Sequence, residues 1–548
     1  MKHETILYLG RLDNLTEPRR LELETKIKAL GEPDLLTKFR RLLYTVGYPL
    51  PTTSIENMDI PQVLEFGEVR LFHTIWHRLN ISEIIRKHTI KGGGKDLALF
   101  VEILAIHRIC EPGSREKAAM WYRRTYLPIL LDLPPKKVYP RVLLRSLEYL
   151  QPTRTRKIEM DIYERIKKEF DIQPSRVDID LTSVYFEGEE CILAQFGYNR
   201  DGRKDKLQIV VAFAVDQEGF LLTHFVFPGS KTDVKTLKRT THALRKDFGV
   251  SKTMFVMDRG MISDGNIKYM DRKKDEYLIA LKLNKDEKKL FEEALDLGEE
   301  YWVDIDEKVS ATVMDRNENG RDKRYLLGRN EEIADKRRKE REIRLENARK
   351  ALKSLKRGIK QGKTKSRQER ERRIGGILRR FRVKRFITCE GARKGLDFTF
   401  RTDREKLAEA EKWDGAFLMV TTDTTITADD MIVTYRQRDL VEKAIRTLKH
   451  VLDIRPVNVY LKEQVYGHVF ICALAYQLRR VAQQYLKEGD VDMSIDEALD
   501  TLKRMKVVDI RVNRDDVQVH RMMTTLDNEQ RTLVDVFNMG DENGQISL

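Results

Sequence analysis

The stretch VDIDLTSVYFEG, residues 177–188, decides the fold. β-Branched and aromatic residues dominate it, as they do in strands, and it sets a carboxylate, Asp180, among apolar neighbours. A carboxylate there must be compensated by a hydrogen bond, a charge or a metal. The next apolar run, KLQIVVAFAV (206–215), lies between the turn-forming stretches NRDGRKD and DQEG, so the two runs are expected to pair antiparallel. FLLTHFVFPG (220–229) supplies a third strand, TDVKTLKRTTHALRKDFG (232–249) a helix, TMFVMD (253–258) a short buried strand and YLIALK (277–282) another. Together they predict an α/β core.

Working outward, residues 18–150 carry helical periodicity in pieces such as DLALFVEILAIHRIC (96–110), separated by IKGGGKD (90–96) and LDLPP (131–135). From 284 to 413 the pattern changes to short strand-like runs, YWVDI, SATVM, KRYLLG and LDFTFRTD, which suggest an insertion into the core. Within it Leu345, Ala348, Leu352, Leu355 and Ile359 recur at helical spacing, and a second helix is expected after a break at QGKT (361–364). The core resumes with GAFLMVTT (415–422) as a strand. TADDMIVTYRQRDLVEKAIRTLKHVL (427–452) follows as one helix or two, with Thr427 a suitable N-cap.

At 548 residues and 41% hydrophobic content the chain has room for several packed domains. No run reaches the about 18 apolar residues that span a bilayer, and MKHETILYLG has no signal-peptide core, so a cytoplasmic location is expected. Cys110, Cys191, Cys389 and Cys472 are too scattered for a zinc finger or a disulfide framework. The net charge of +15 points to a polyanionic partner. Residues 335–380 hold 20 Lys/Arg against 6 Asp/Glu, a net +14, so nearly all the excess sits in the expected basic helices of the insertion. Lacking aromatics, that arm suits phosphate tracking, or it is simply solvated.

Three acidic residues stand out. Asp258 closes TMFVMDRG at a strand end, where α/β sheets place their sites, with Gly260 allowing a tight turn. On a helix Tyr435, Arg438, Glu442, Arg446 and Lys449 share one face, beside the apolar face of Val441, Ala444, Ile445, Leu448 and Leu452. Taken alone, Arg438, Glu442 and Arg446 read as surface ion pairs. Two strand aspartates and a helix glutamate beside a basic arm suggest instead chemistry on a phosphate.

Tyr435, Arg438, Glu442 and Lys449, separated by two, three and six residues, match the Tyr-Arg-Glu-Lys signature of insertion-sequence DNA transposases with an Asp-Asp-Glu site. IDLTSVYFEGE, GYNRDGRKDKLQIVVAFAVDQEGFLLTHFVFPGSKTD, VMDRGMIS, WDGAFLMVTTD and VYGHVFICALAYQL resemble that group's blocks in the same order, and EPGSREKAAMW resembles its N-terminal block. Ser230 stands where the family has Asn.

The resemblance implies a ribonuclease-H-like core interrupted by a large insertion, with Asp180, Asp258 and Glu442 binding Mg²⁺ or Mn²⁺. Two such ions about 4 Å apart activate water and stabilise both oxygens in phosphodiester cleavage, and hard cations favour an all-carboxylate set. Mutual repulsion then predicts a raised carboxyl pKa. Tyr435, Arg438 and Lys449 would hold phosphates, and Trp302 or Trp413 could stack on a flipped base. The expected layout is a helical DNA-binding region (1–172), a first core segment (173–285), the insertion (286–412, with basic helices 331–380), a second core segment (413–480) and a C-terminal region (481–548) for dimerisation or DNA contacts. The implied activity is endonucleolytic cleavage at terminal inverted repeats and strand transfer into target DNA, by a homodimer holding two ends. A hydrolysis-only nuclease and a transposase-derived protein without catalysis are the alternatives.

Overall fold

The computed structural model describes residues 15–29, 33–45, 59–89, 96–248, 253–392, 395–511 and 519–540. The break expected at IKGGGKD falls, but for Asp96, outside them. In the N-terminal region α1 (Gly67–Arg78) packs on α2 (Leu97–Cys110). α2 is apolar nearly all round and correspondingly buried, and Asp96 caps it by accepting from the Ala98 N–H at 3.1 Å. The region is not wholly helical: Asp59–Glu65 is a strand, paired antiparallel with Lys506–Arg511, which in turn pairs with His520–Met523. The chain's early and late segments therefore share one small sheet.

The main sheet contains β1 (Arg176–Tyr185), β2 (Gln208–Asp216), β3 (Leu221–Pro228), β4 (Met254–Met257), β5 (Tyr277–Leu281), β6 (Val303–Asp306), β7 (Val309–Glu318), β8 (Arg321–Asn330) and β9 (Ala416–Thr421). Their spatial order is 3-2-1-4-5-9-8-7-6. β1, β2 and β3 form an antiparallel meander, while β1, β4 and β5 run parallel. A parallel step needs a crossover, and α3 (Asp233–Phe248) provides it between β3 and β4. At the turn before α3, Ser230 Oγ donates to Gln195 Oε1 at 2.5 Å, so the serine holds that turn through its own hydroxyl.

The segment between β5 and β9 does two things. β6, β7 and β8 extend the main sheet, because Arg324–Arg329 of β8 pairs with the whole of β9. α4 (Glu331–Lys360) and α5 (Arg367–Arg380), with a ribbon of Ile387–Gly391 and Phe398–Thr402, form a separate apolar cluster. Leu345, Ala348, Leu352, Leu355 and Ile359 are all buried in it, facing Ile374, Leu378 and Phe398. Asn330 and Ser366 cap the two helices by accepting from Ile333 N at 2.9 Å and Glu369 N at 3.1 Å.

After β9 come two helices, not one. α6 (Ala428–Arg436) is capped by Thr427, and α7 (Asp439–His450) begins after a break at Gln437 and Arg438. α6 buries Met431 and Ile432 against Val256, Leu278 and Met419 of the sheet. α7 buries Val441, Ala444, Ile445 and Leu448 and packs on β1 and β2. The long α8 (Lys462–Glu488) runs between α2 and β3, tying the N-terminal helices to the sheet.

Candidate active site

Strand register brings the two aspartates together. Ile179 of β1 is paired with Met257 of β4, so Asp180 and Asp258 are the next residues on adjacent parallel strands, whose spacing is about 4.8 Å. Asp180 Oδ1 accepts from the Leu181 N–H at 2.8 Å. Asp258 ends its strand and caps a single turn, its Oδ2 accepting from the Gly260 N–H at 3.3 Å. A Cβ at Gly260 would stand at ordinary contact distance, 3.4 Å, from Oδ2 of both Asp258 and Asp233, so two carboxylates flank this position. Glu442 joins from the first turn of α7.

Arg438, at the α6–α7 break, is the cation among them. Its guanidinium donates to Glu442, while Asp180 and Asp258 also act on it electrostatically. Burial opposes the Arg438 charge, but Tyr435, Asp180, Glu442 and Asp258 outweigh it and hold its pKa above the usual value. Burial pushes Asp180 up to about 6 against the pull of Arg438, with Asp258 and Glu442 adding to the rise. Part of that rise is thus the mutual repulsion expected of clustered carboxylates. Tyr435 is in the last turn of α6, its phenol raised by burial, with the Arg438 guanidinium carbon 5.5 Å from its ring centre.

Lys449 is on the same helix as Glu442 but faces other partners. Its Nζ lies 2.9 Å from Asp201 Oδ1, and Arg455 Nη1 reaches Asp201 Oδ2 at 2.5 Å. Asp201 sits in the NRDGRKD connection, which Asn199 folds by accepting from the N–H groups of Asp201 at 2.8 Å and Arg203 at 3.1 Å. The Arg200 N–H donates to Ser183 Oγ of β1 at 2.9 Å, and the Arg200 guanidinium pairs with Asp233 at 2.5 Å. The loop that holds Lys449 therefore also holds the carboxylate beside Gly260.

Sequence reasoning missed these supporting residues because their partners are remote in sequence. It also missed Asp178, fully buried on the same face of β1 as Asp180 and gripped by Arg176 through two contacts of 3.0 Å. Burial pushes Asp178 up to about 7, opposed by Arg176. Arg176 donates in turn to Gln437, fixing the helix break beside Arg438. Alternation along β1 was the available signal, since it puts Asp178 and Asp180 on one face.

Trp302 and Trp413 are not part of this cluster. Both pack on Phe291, with ring centres 5.7 and 5.9 Å away. Arg329 covers Trp302 at 5.0 Å and Lys288 covers Trp413 at 4.7 Å. Each ring is thus held in part by the protein itself, and both stay partly exposed.

Asp180, Asp258 and Glu442 come from separate elements and act on one another electrostatically around Arg438, and carboxylate oxygens are the donors that Mg²⁺ or Mn²⁺ prefers, but the three do not all bring an oxygen within 4.8 Å of one another, so an ion held by all of them requires the side chains to close in. The sheet and this cluster define an α/β protein with acidic residues grouped at its main sheet. Residues 171–478 match the family model described as the transposase DDE domain, and this chain belongs to that family. Among solved structures it is similar to the Mos1 transposase paired-end complex with left transposon end, at 13% identity and a TM-score of 0.15. That match covers 34% of this chain and 60% of the other. No curated protein matches. No helix among the described residues is long and apolar enough to cross a membrane.

Proposed function

We propose that this chain is an insertion-sequence DNA transposase that binds terminal inverted repeats, cuts the element's ends and joins the freed 3′-hydroxyl to target DNA. The observation that carries this reading is the convergence of Asp180, Asp258 and Glu442 around Arg438, within the residues matched by the family model. The three carboxylates would hold Mg²⁺ or Mn²⁺, two ions per site. Bound there, such ions supply an activated water at neutral pH and neutralise charge on the attacking and leaving oxygens.

The chain's own groups position the DNA. Arg438 offers a planar fork to a phosphate, Tyr435 a hydroxyl donor and Lys449 a compact charge. Arg438 and Lys449 are each paired with a carboxylate, so a phosphate has to compete with Glu442 and Asp201 for them. The basic helices α4 and α5, part of residues 286–412, would track the DNA backbone. The N-terminal region to residue 172 would read the repeats, the segments 173–285 and 413–480 would carry the chemistry, and residues 481–548 would help pair two protomers. Action on DNA places the protein with the nucleoid in the cytoplasm.

Glu442→Gln tests the assignment. It keeps the shape of the side chain and removes its charge, so DNA binding should persist while Mg²⁺-dependent cleavage falls by orders of magnitude. Cleavage at the parental rate would refute the site. With labelled ends, joined product separates a transposase from a nuclease that only hydrolyses, and a parent protein that binds but never cuts would be a derivative without catalysis.

A further inference from the structure

His73 and His77 are four residues apart on α1 and so lie on one face of it. Their ring centres are 4.3 Å apart at an interplanar angle of 65°. Glu102 reaches them from α2, with Oε1 2.7 Å from His73 Nδ1. A ligand atom from each of the three lies within 4.8 Å of the others, and no other such group of His, Cys, Asp or Glu occurs among the described residues.

This is an unusual place for a carboxylate. Glu102 is 1% exposed, in a helix whose other charged or basic side chains, His107 and Arg108, lie in its last turn, and among the described residues no lysine or arginine forms an ion pair with it. Buried together, Glu102 and His73 have each other as their only ion-pair partner among the described residues. His77 is exposed, so the cluster opens to solvent on one side.

We propose that His73, His77 and Glu102 bind one divalent transition-metal ion of the Zn²⁺ class, with the fourth position open at the His77 rim. Two imidazoles and one carboxylate favour such an ion over Mg²⁺, which prefers oxygen ligands and keeps its waters. Bonds of about 2.1 Å in tetrahedral geometry put ligand atoms about 3.4 Å apart, so the His73–Glu102 contact would open by roughly 0.7 Å. The ion compensates the Glu102 charge and staples α1 to α2. It is separate from the all-carboxylate site on the main sheet.

The test uses the full chain carrying Asp180→Asn and Glu442→Gln, so that the carboxylate site does not contribute, with Co²⁺ as probe. One equivalent should bind with the strong visible absorption of a tetrahedral site and be displaced by Zn²⁺, and Zn²⁺ should raise the melting temperature. His77→Ala and Glu102→Gln in that background should lose Co²⁺ affinity by about 100-fold or more, a loss that even the outer partners of a metal site can cause. His77 is on the surface, so its variant should fold even if the Glu102 variant does not, with circular dichroism as the check. Absence of the band in the parent, or Co²⁺ binding as tight in folded His77→Ala as in the parent, overturns the proposal.

Discussion

Lys449 Nζ lies 2.9 Å from Asp201 Oδ1, joining α7 to the β1–β2 connection across 248 positions of sequence. Both side chains are nearly buried, and Arg455 shares the same carboxylate. Asp201→Ala would leave two facing cations without their counterion, so it should cost about 3–5 kcal/mol in urea denaturation. Lys449→Met should cost less, since Arg455 still neutralises Asp201 and methionine fills the space. The reverse ranking would show that the carboxylate is not shared.

Glu68, in the first turn of α1, sets a pH dependence. Burial pushes its carboxyl up to about 7, with Lys503 pulling down and Glu65 pushing up. The folded protein therefore holds this proton over a range where the unfolded chain has lost it. The contribution to stability is neutral below about pH 4.5 and grows more unfavourable between there and about pH 7. Glu68→Gln should leave stability unchanged at pH 4 and raise it by about 2–4 kcal/mol above pH 7. An equal gain at both ends of the range would contradict the shift.

The basic helices make salt dependence the readout for DNA binding. Lys339, Lys353, Lys360 and Arg372 are exposed on α4 and α5. If each neutralises one phosphate, replacing all four with Gln should reduce the slope of log affinity against log salt by about 3–4 on any duplex sequence. An unchanged slope in a fluorescence-anisotropy titration would assign the helices to solvent.

The β8–β9 pair has a steric lock. A Cβ at Gly328 would come within 2.1 Å of the Phe417 ring on the neighbouring strand. Gly328→Ala should therefore destabilise by about 1–3 kcal/mol, and Phe417→Ala in the same chain should recover part of that loss. Simple additivity in thermal denaturation would remove the lock.

Much of the core was legible because its signals are local. The apolar runs of β1 to β5 are bounded by turn-formers, and Thr427 marks a helix start by its chemistry. The break between α6 and α7 was not decided, since Gln437 and Arg438 carry no Gly or Pro signal and the hydrogen bond from Arg176 that fixes it comes from 261 positions away. Likewise DG at Asp201 and Gly202 reads as a turn, and nothing nearby announces Lys449. β6 to β8 were readable as short strands, but their half-exposed patterns do not say which sheet they join. Trp302 and Trp413 are candidates through the family resemblance; their packing on Phe291 is a matter of tertiary structure.

The antiparallel pairing of β5 with β9 also has a consequence for synthesis on the ribosome. β5 emerges with one edge matched to β4, while the partner for its other edge is encoded only after the whole of residues 282–415. Until Ala416–Thr421 arrives, the nascent chain carries an apolar strand, YLIAL, with a free row of amide and carbonyl groups. The separate apolar cluster of α4 and α5 can form during that wait. Slowing elongation between codons 282 and 415 should lengthen the time in which one nascent chain can add a strand to another.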